Sequence, residues 1–114
     1  MRIGELSRRT GIAASRIRFY ERHQVLPKAV RSENGYREYP ETAVKALTLI
    51  DGAQRLGFTL TEIRQSLSEA APGFPSRVAM VKALRSKLES VDQHLREVRS
   101  RRGEIVKLLA ELGD

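Results

Sequence analysis

The chain of 114 residues carries 21 Lys plus Arg against 14 Asp plus Glu, a formal net charge of +7, and no cysteine. That length holds one compact domain, or a smaller one with an appendage, and excludes multi-domain enzymes and large cofactor folds. The lack of cysteine excludes disulfides, thiolate-bound zinc, iron–sulfur clusters and cysteine nucleophiles. No apolar run approaches the ~18 residues of a membrane helix, and the opening MRIGELSRRT lacks the hydrophobic stretch of a signal peptide. The expectation is a soluble, cytoplasmic protein with no membrane partner.

In chain order, Ile3, Leu6 and the Gly4-to-Arg9 stretch predict a short first helix, stopped at Thr10-Gly11. A second helix is expected from Ala13 to His23. Asn34-Gly35 is a two-residue hairpin signal of the kind that sets both central residues at positive φ, with residues 29–33 and 36–39 as the strands. A third helix starts near Pro40, and Val44, Leu47, Leu49, Ile50, Ala53 and Leu56 recur along it at helical spacing until Gly57 stops it. Thr59-Leu60-Thr61-Glu62 has capping-box form and opens a fourth helix to about Ser68, with Leu60, Ile63 and Leu67 turned inward. Two short helices across a glycine turn, then a hairpin, predict a winged helix-turn-helix head over residues 1–70. Ala-Pro-Gly-Phe-Pro at 71–75 is read as a linker.

Residues 76–112 are expected to form one long helix. With Val81 at heptad position a, the seam is Val81, Leu88, Leu95 and Leu109 at a, and Leu84, Val91, Val98, Ile105 and Leu112 at d. Asp92–Arg96 and Glu97–Arg101 are expected as i,i+4 pairs on its flanks. Such a helix spans roughly 54 Å at about 1.5 Å per residue, more than the head can cover. The exposed seam therefore predicts a homodimer, the alternative being a hairpin folded back at Gly103. Arg102 at an a position interrupts the seam, and Val106 and Leu108 widen the apolar face beyond it. The fold class is thus mainly α: a winged helix-turn-helix head with a short β-hairpin wing, then a coiled-coil dimerisation helix.

The charge is unevenly placed. Residues 1–40 hold nine Lys or Arg against four acids, together with four of the six aromatics. Basic residues interleaved with aromatics point to nucleic acid, here double-stranded DNA. On a helical wheel Ala13, Ile17 and Tyr20 face the core of the head. Ser15, Arg18 and Arg22 lie opposite, flanked by Arg16 and Phe19. Arg18 leads for a base or phosphate contact, with Arg16 and Arg22 as phosphate partners. Ser15 suits a phosphate contact or a helix cap, and Phe19 suits a thymine methyl, a sugar or packing under the wing. The wing brings Arg31, Asn34, Tyr36, Arg37 and Tyr39 to a second surface, one of the two tyrosines being expected in the core. Arg55 suits a further phosphate or a plain surface role. The candidate DNA-contact set is therefore Ser15, Arg16, Arg18, Phe19, Tyr20, Arg22, Arg31, Tyr36, Arg37 and Arg55, with Tyr20 included despite its place on the wheel. No carboxylate pair, nucleophile–base set or phosphate loop stands out, so an enzyme is not expected. His23 and His94 are isolated, and neither a metal site nor a cofactor is expected.

Three segments in order, MRIGELSRRTGIAASRIRFYE, NGYREY and LIDGAQRLGFTLTEI, resemble the MerR family of bacterial transcription regulators over residues 1–68. The resemblance implies a second wing at helices three and four and an antiparallel coiled coil. It also implies a pseudo-palindromic operator inside a promoter with an over-long spacer, distorted so that RNA polymerase engages both promoter boxes. It carries DNA contact onto Arg18, Phe19, Tyr36 and Arg37. The chain departs from the family pattern at Phe19, where Tyr is usual, at Ala13, where Ser caps the helix, and at Gln24, where Gly ends it. The cysteines of the metal- and redox-sensing branches are missing, and the sequence predicts no separate sensor domain after the coiled coil, which leaves the effector open. Two other functions share parts of this pattern: an excisionase-like or architectural DNA-binding protein, and a coiled-coil adaptor without DNA binding.

Overall fold

The computed structural model describes residues 1–27 and 29–114, in two compact units, Met1–Pro75 and Ser76–Asp114. In the first unit, α1 (Ile3–Thr10) ends where Gly11 adopts a left-handed φ of 73° and donates its N–H to Ser7 O, 2.9 Å away. The Ser7 and Thr10 hydroxyls donate to the carbonyls of Ile12 and Leu6, at 2.7 and 2.8 Å. These bonds tighten the turn into α2 (Ala14–Arg22), completing the helix-turn-helix.

Ala13, which the wheel turns to the core face and the family pattern puts at the helix cap, is the exposed N-cap of α2 and has no side chain to offer the orphan N–H groups. Ala13→Ser is therefore expected to stabilise the head by about 1 kcal/mol, read as a higher urea midpoint with an unchanged slope. At the other end, the chain leaves α2 through Gln24 at φ 59°, among the described residues the one non-glycine with positive φ. The turn thus uses glycine's backbone region at a residue whose Cβ opposes it. Relief of that crowding, about 1–2 kcal/mol, exceeds the added freedom of the unfolded chain, about 0.5–1 kcal/mol. Gln24→Gly is expected to raise stability by roughly 0.5–1 kcal/mol in the same titration.

The wing is the antiparallel pair β1 (Val30–Arg31) and β2 (Arg37–Glu38), with Val30 opposite Glu38 and Arg31 opposite Arg37. The strands are shorter than expected and the turn is of a different kind. Gly35 N–H reaches Ser32 O at 2.9 Å, Ser32 N–H reaches Tyr36 O at 2.7 Å, and only Gly35 of the Asn34-Gly35 pair takes positive φ (80°). This is a three-residue loop, a turn followed by one left-handed glycine, rather than a two-residue turn.

α3 (Thr42–Arg55) and α4 (Leu60–Ala70) follow. The expected capping box is present: Glu62 N–H donates to Thr59 Oγ1 at 3.1 Å, and Thr59 N–H to Glu62 Oε1 at 2.9 Å. Arg64 of α4 donates from Nε and Nη2 to the His23 carbonyl, at 3.2 and 2.8 Å, satisfying the C-terminal end of α2 from outside. Leu6, Ile17, Tyr20, Leu47 and Ile50 are the largest fully buried side chains, and Ile12, Val25, Leu26, Tyr39 and Ile63 surround them. One core thus joins α1, α2, α3, α4 and the base of the wing. Leu56 falls at the C-cap of α3 and is exposed, although its spacing matches the apolar stripe.

The second unit is α5 (Arg77–Glu111), capped by Ser76 Oγ, which accepts from Ala79 N–H at 3.1 Å. It runs unbroken through Gly103, so no hairpin forms there. Leu84, Leu88, Val91, Leu95, Val98, Ile105, Leu109 and Leu112 are exposed along it, and Val81 is half-buried. The flank pairs expected at Asp92–Arg96 and Glu97–Arg101 are replaced by amide contacts. Arg96 Nη2 donates to Gln93 Oε1 at 2.7 Å, and Gln93 Nε2 to Glu97 Oε1 at 3.2 Å. Among the described residues no helix is long and apolar enough to cross a membrane.

Candidate nucleic-acid interface

The charged face of α2 divides into free and tethered cations. Arg18 and Arg22 are exposed, as is Ser15, and neither arginine has a carboxylate within ion-pair distance among the described residues. Arg16 is committed to α3: its Nε lies 3.0 Å from Asp51 Oδ1, and its Nη2 donates to Gln54 Oε1 at 2.7 Å. The hydrogen bond to Asp51, the largest cause, holds the Arg16 guanidinium above its ordinary pKa.

Tyr20 corrects one sequence expectation. Its ring is fully buried, and its hydroxyl is spent on Asp51 Oδ1 (3.0 Å), Gln54 Oε1 (2.8 Å) and Arg16 Nε (2.9 Å). No surface is left for DNA. Tyr20 fixes the rotation of α2 against α3, which decides where Arg18 and Arg22 point. Burial, then the bond to Asp51, raises the pKa of its phenol. Phe19 is half-buried, with ring centroids 5.7 Å from Tyr20 and 4.3 Å from His23, so the packing role is the one seen.

The wing is tied to the same helix by a buried acid. Glu21 on α2 accepts the Tyr39 hydroxyl and lies 3.7 Å from Arg37 Nη1. Tyr39 is thus the core tyrosine, its hydroxyl pushed up to about 12 by burial first and by the bond to Glu21 second. Tyr36 is the exposed one, 53 % open, with the Arg2 guanidinium 3.9 Å from its ring centroid. Arg31 is exposed on β1 and has no acidic partner among the described residues. Arg55 is largely open to solvent, 3.8 Å from Asp51 Oδ2.

These elements meet in an open groove of about 350 Å³ lined by Arg2, Ile3, Arg18, Arg31, Gly35, Tyr36 and Arg37. No acid lines it. Arg18 from α2 and Arg31, Tyr36 and Arg37 from the wing, expected as a second surface, line one groove, whereas Ser15, Arg16, Phe19, Tyr20, Arg22 and Arg55 do not line it. Sequence reasoning misses Arg2, and with it the anchors Asp51, Gln54, Glu21 and Arg64. The one local signal is Glu21, an isolated acid in a basic helix.

A helix-turn-helix with a basic β-wing beside its second helix defines the first unit as a winged helix-turn-helix nucleic-acid-binding head. Comparison with known proteins agrees. The family described as MerR HTH family regulatory protein matches residues 1–70, and the one described as MerR, DNA binding matches residues 44–114. The HTH-type transcriptional regulator CueR of Yersinia pestis is 31% identical over 111 residues, covering 97% of this chain and 80% of that protein. Among solved structures, the N-terminal part of MtaN, the Bacillus subtilis multidrug transporter activator, superposes with a TM-score of 0.77 at 23% identity over 96% of this chain and 97% of that one. HiNmlR, a MerR family regulator lacking the sensor domain and bound to promoter DNA, superposes at 0.60 with 20% identity, over 96% and 86%. The chain belongs to the MerR family, as a helix-turn-helix transcription regulator that binds DNA.

Proposed function

We propose that the protein acts in the cytoplasm as a homodimer on a pseudo-palindromic promoter operator, distorting the DNA so that RNA polymerase engages both promoter boxes. The observation that carries this reading is the acid-free arginine groove where α2 meets the wing. A cluster of guanidinium groups in which Arg37 alone has a carboxylate within ion-pair distance suits the repeated phosphates of a duplex, and Arg18 on the helix suits a guanine edge or a phosphate. In this reading residues 1–70 form the reading head, 71–75 the linker and 76–112 the dimerisation helix.

The homodimer rests on the exposed seam of α5. In an antiparallel pair the apolar seam of one helix would pack on that of its partner, with flank charges such as Asp92 and Arg99 left beside it. Neither Asp92 nor Arg99 has an ion-pair partner among the described residues of its own chain, so both are available. A twofold dimer presents two identical heads, hence two half-sites in inverted order. Bending a duplex by the angles such regulators impose costs on the order of 1–6 kcal/mol, which the phosphate contacts of two heads offset.

Transcription in vitro from the promoter beside its own gene tests the reading, using the native spacer and a shortened one. The protein should alter initiation from the native spacer and lose that effect on the shortened one. An effect independent of spacer length would exclude distortion as the mechanism. Binding at phage attachment sites instead of a promoter would make the protein excisionase-like, and a complete lack of DNA affinity would make it an adaptor.

A further inference from the structure

We propose that Arg2 is an additional ligand for the DNA backbone, aimed by the Tyr36 ring at a phosphate beside the groove that Arg18 and the wing line. This rests on the DNA-binding reading above and adds a residue to it. Arg2 lies immediately before α1, outside both the recognition helix and the hairpin, yet it lines the same groove as Arg18, Arg31 and Arg37.

Three observations carry it. First, the Arg2 guanidinium lies over the Tyr36 ring at 3.9 Å, within the range of a cation–π contact. A planar guanidinium held on a ring keeps its N–H groups in one plane, the geometry that grips a phosphate with two bonds. Second, the backbone that carries it is pinned: Tyr39 N–H donates to Met1 O at 2.7 Å, and Leu6 N–H to Arg2 O at 3.1 Å. Little further ordering is needed on binding, so less of the contact energy is lost. Third, the charge has no internal counterpart. Arg9, Arg16, Arg37 and Arg55 each have a carboxylate within 4.0 Å, whereas among the described residues Arg2, Arg18 and Arg31 have none. Arg2 and Tyr36 also line an adjoining cleft with Glu5 and Glu38, but neither acid forms an ion pair with Arg2, and Glu38 is already met by the Met1 ammonium at 3.2 Å. Three unpaired guanidinium groups around one groove repel each other until an anion enters, and a duplex backbone supplies anions.

The test is binding of the full chain to a promoter fragment across a salt series, for the wild type, Arg2→Ala and Arg2→Lys. Arg2→Ala should weaken binding on the order of tenfold at low salt, equally on the operator and on unrelated duplex. It should also flatten the salt dependence by about 0.9 for each phosphate that is no longer neutralised. Arg2→Lys keeps the charge and should restore the slope, but only part of the affinity, because the planar fork is gone. Combined with Tyr36→Leu, the effect of Arg2→Ala should shrink, since the ring no longer aims the group. Arg2 is exposed, so the melting temperature of Arg2→Ala should match the wild type. An unchanged salt slope, or a weakening confined to particular base pairs, would overturn the Arg2 proposal alone. A wild type that shows no salt-dependent binding would overturn the DNA reading beneath it.

Discussion

Arg18→Ala is expected to remove operator recognition while leaving the head folded and the dimer intact. Arg18 is exposed on the outer face of α2, has no carboxylate partner among the described residues, and lines the groove that α2 shares with the wing. Its neighbours on the inner face, Ile17 and Tyr20, are fully buried, so truncating Arg18 disturbs no packing. A guanidinium that grips a guanine edge is worth about 1–3 kcal/mol of discrimination. In a homodimer the loss occurs at both half-sites, about 2–6 kcal/mol per complex on the same scale. Fluorescence anisotropy on operator DNA should show a fall of at least thirtyfold, with light scattering and melting unchanged. An unaltered footprint would mean that α2 is not the reading helix.

Leu95→Glu is expected to have the second large effect, through assembly. Leu95 is 52 % exposed near the middle of the α5 seam. In a dimer it would pack on the apolar seam of the partner, and a carboxylate buried there would have nothing to pair it. Light scattering should report a monomer at micromolar concentration. Operator affinity should fall about 10²–10⁴-fold, because the two heads no longer bind as one linked unit. The helical signal of α5 should also drop, since an isolated amphipathic helix gains most of its stability from packing. A Leu95→Glu protein that remains dimeric would show that this seam is not the interface.

What is legible in the sequence is local or periodic. The Thr59–Glu62 capping box spans three residues and forms as expected. The heptads of α5 stay in phase along the whole helix, through Gly103 and past Arg102, because a single glycine costs a helix only about 1 kcal/mol. The wing lies where Asn34-Gly35 puts it, but its turn differs. A left-handed glycine serves both two- and three-residue hairpins, and the choice depends on Ser32 pairing with Tyr36. The remaining differences come from long-range partners. Tyr20 belongs to the expected DNA-contact set although the wheel turns it inward. Only Asp51 and Gln54, on another helix, show where its hydroxyl is spent. The same partners draw in Arg16, which on the wheel is only a flank neighbour of Arg18 and another candidate for phosphate. Arg2 carries no local signal at all, and its role emerges only when the hairpin brings Tyr36 beneath it.

The most direct test of a dimeric, arginine-led DNA regulator is a hydroxyl-radical footprint of the full chain on its own promoter as salt is raised. Two protected half-sites should appear in inverted order, centred a whole number of helical turns apart. Protection should fade steeply and together at both with rising salt. A single protected patch without a dyad, or protection indifferent to salt, would contradict it.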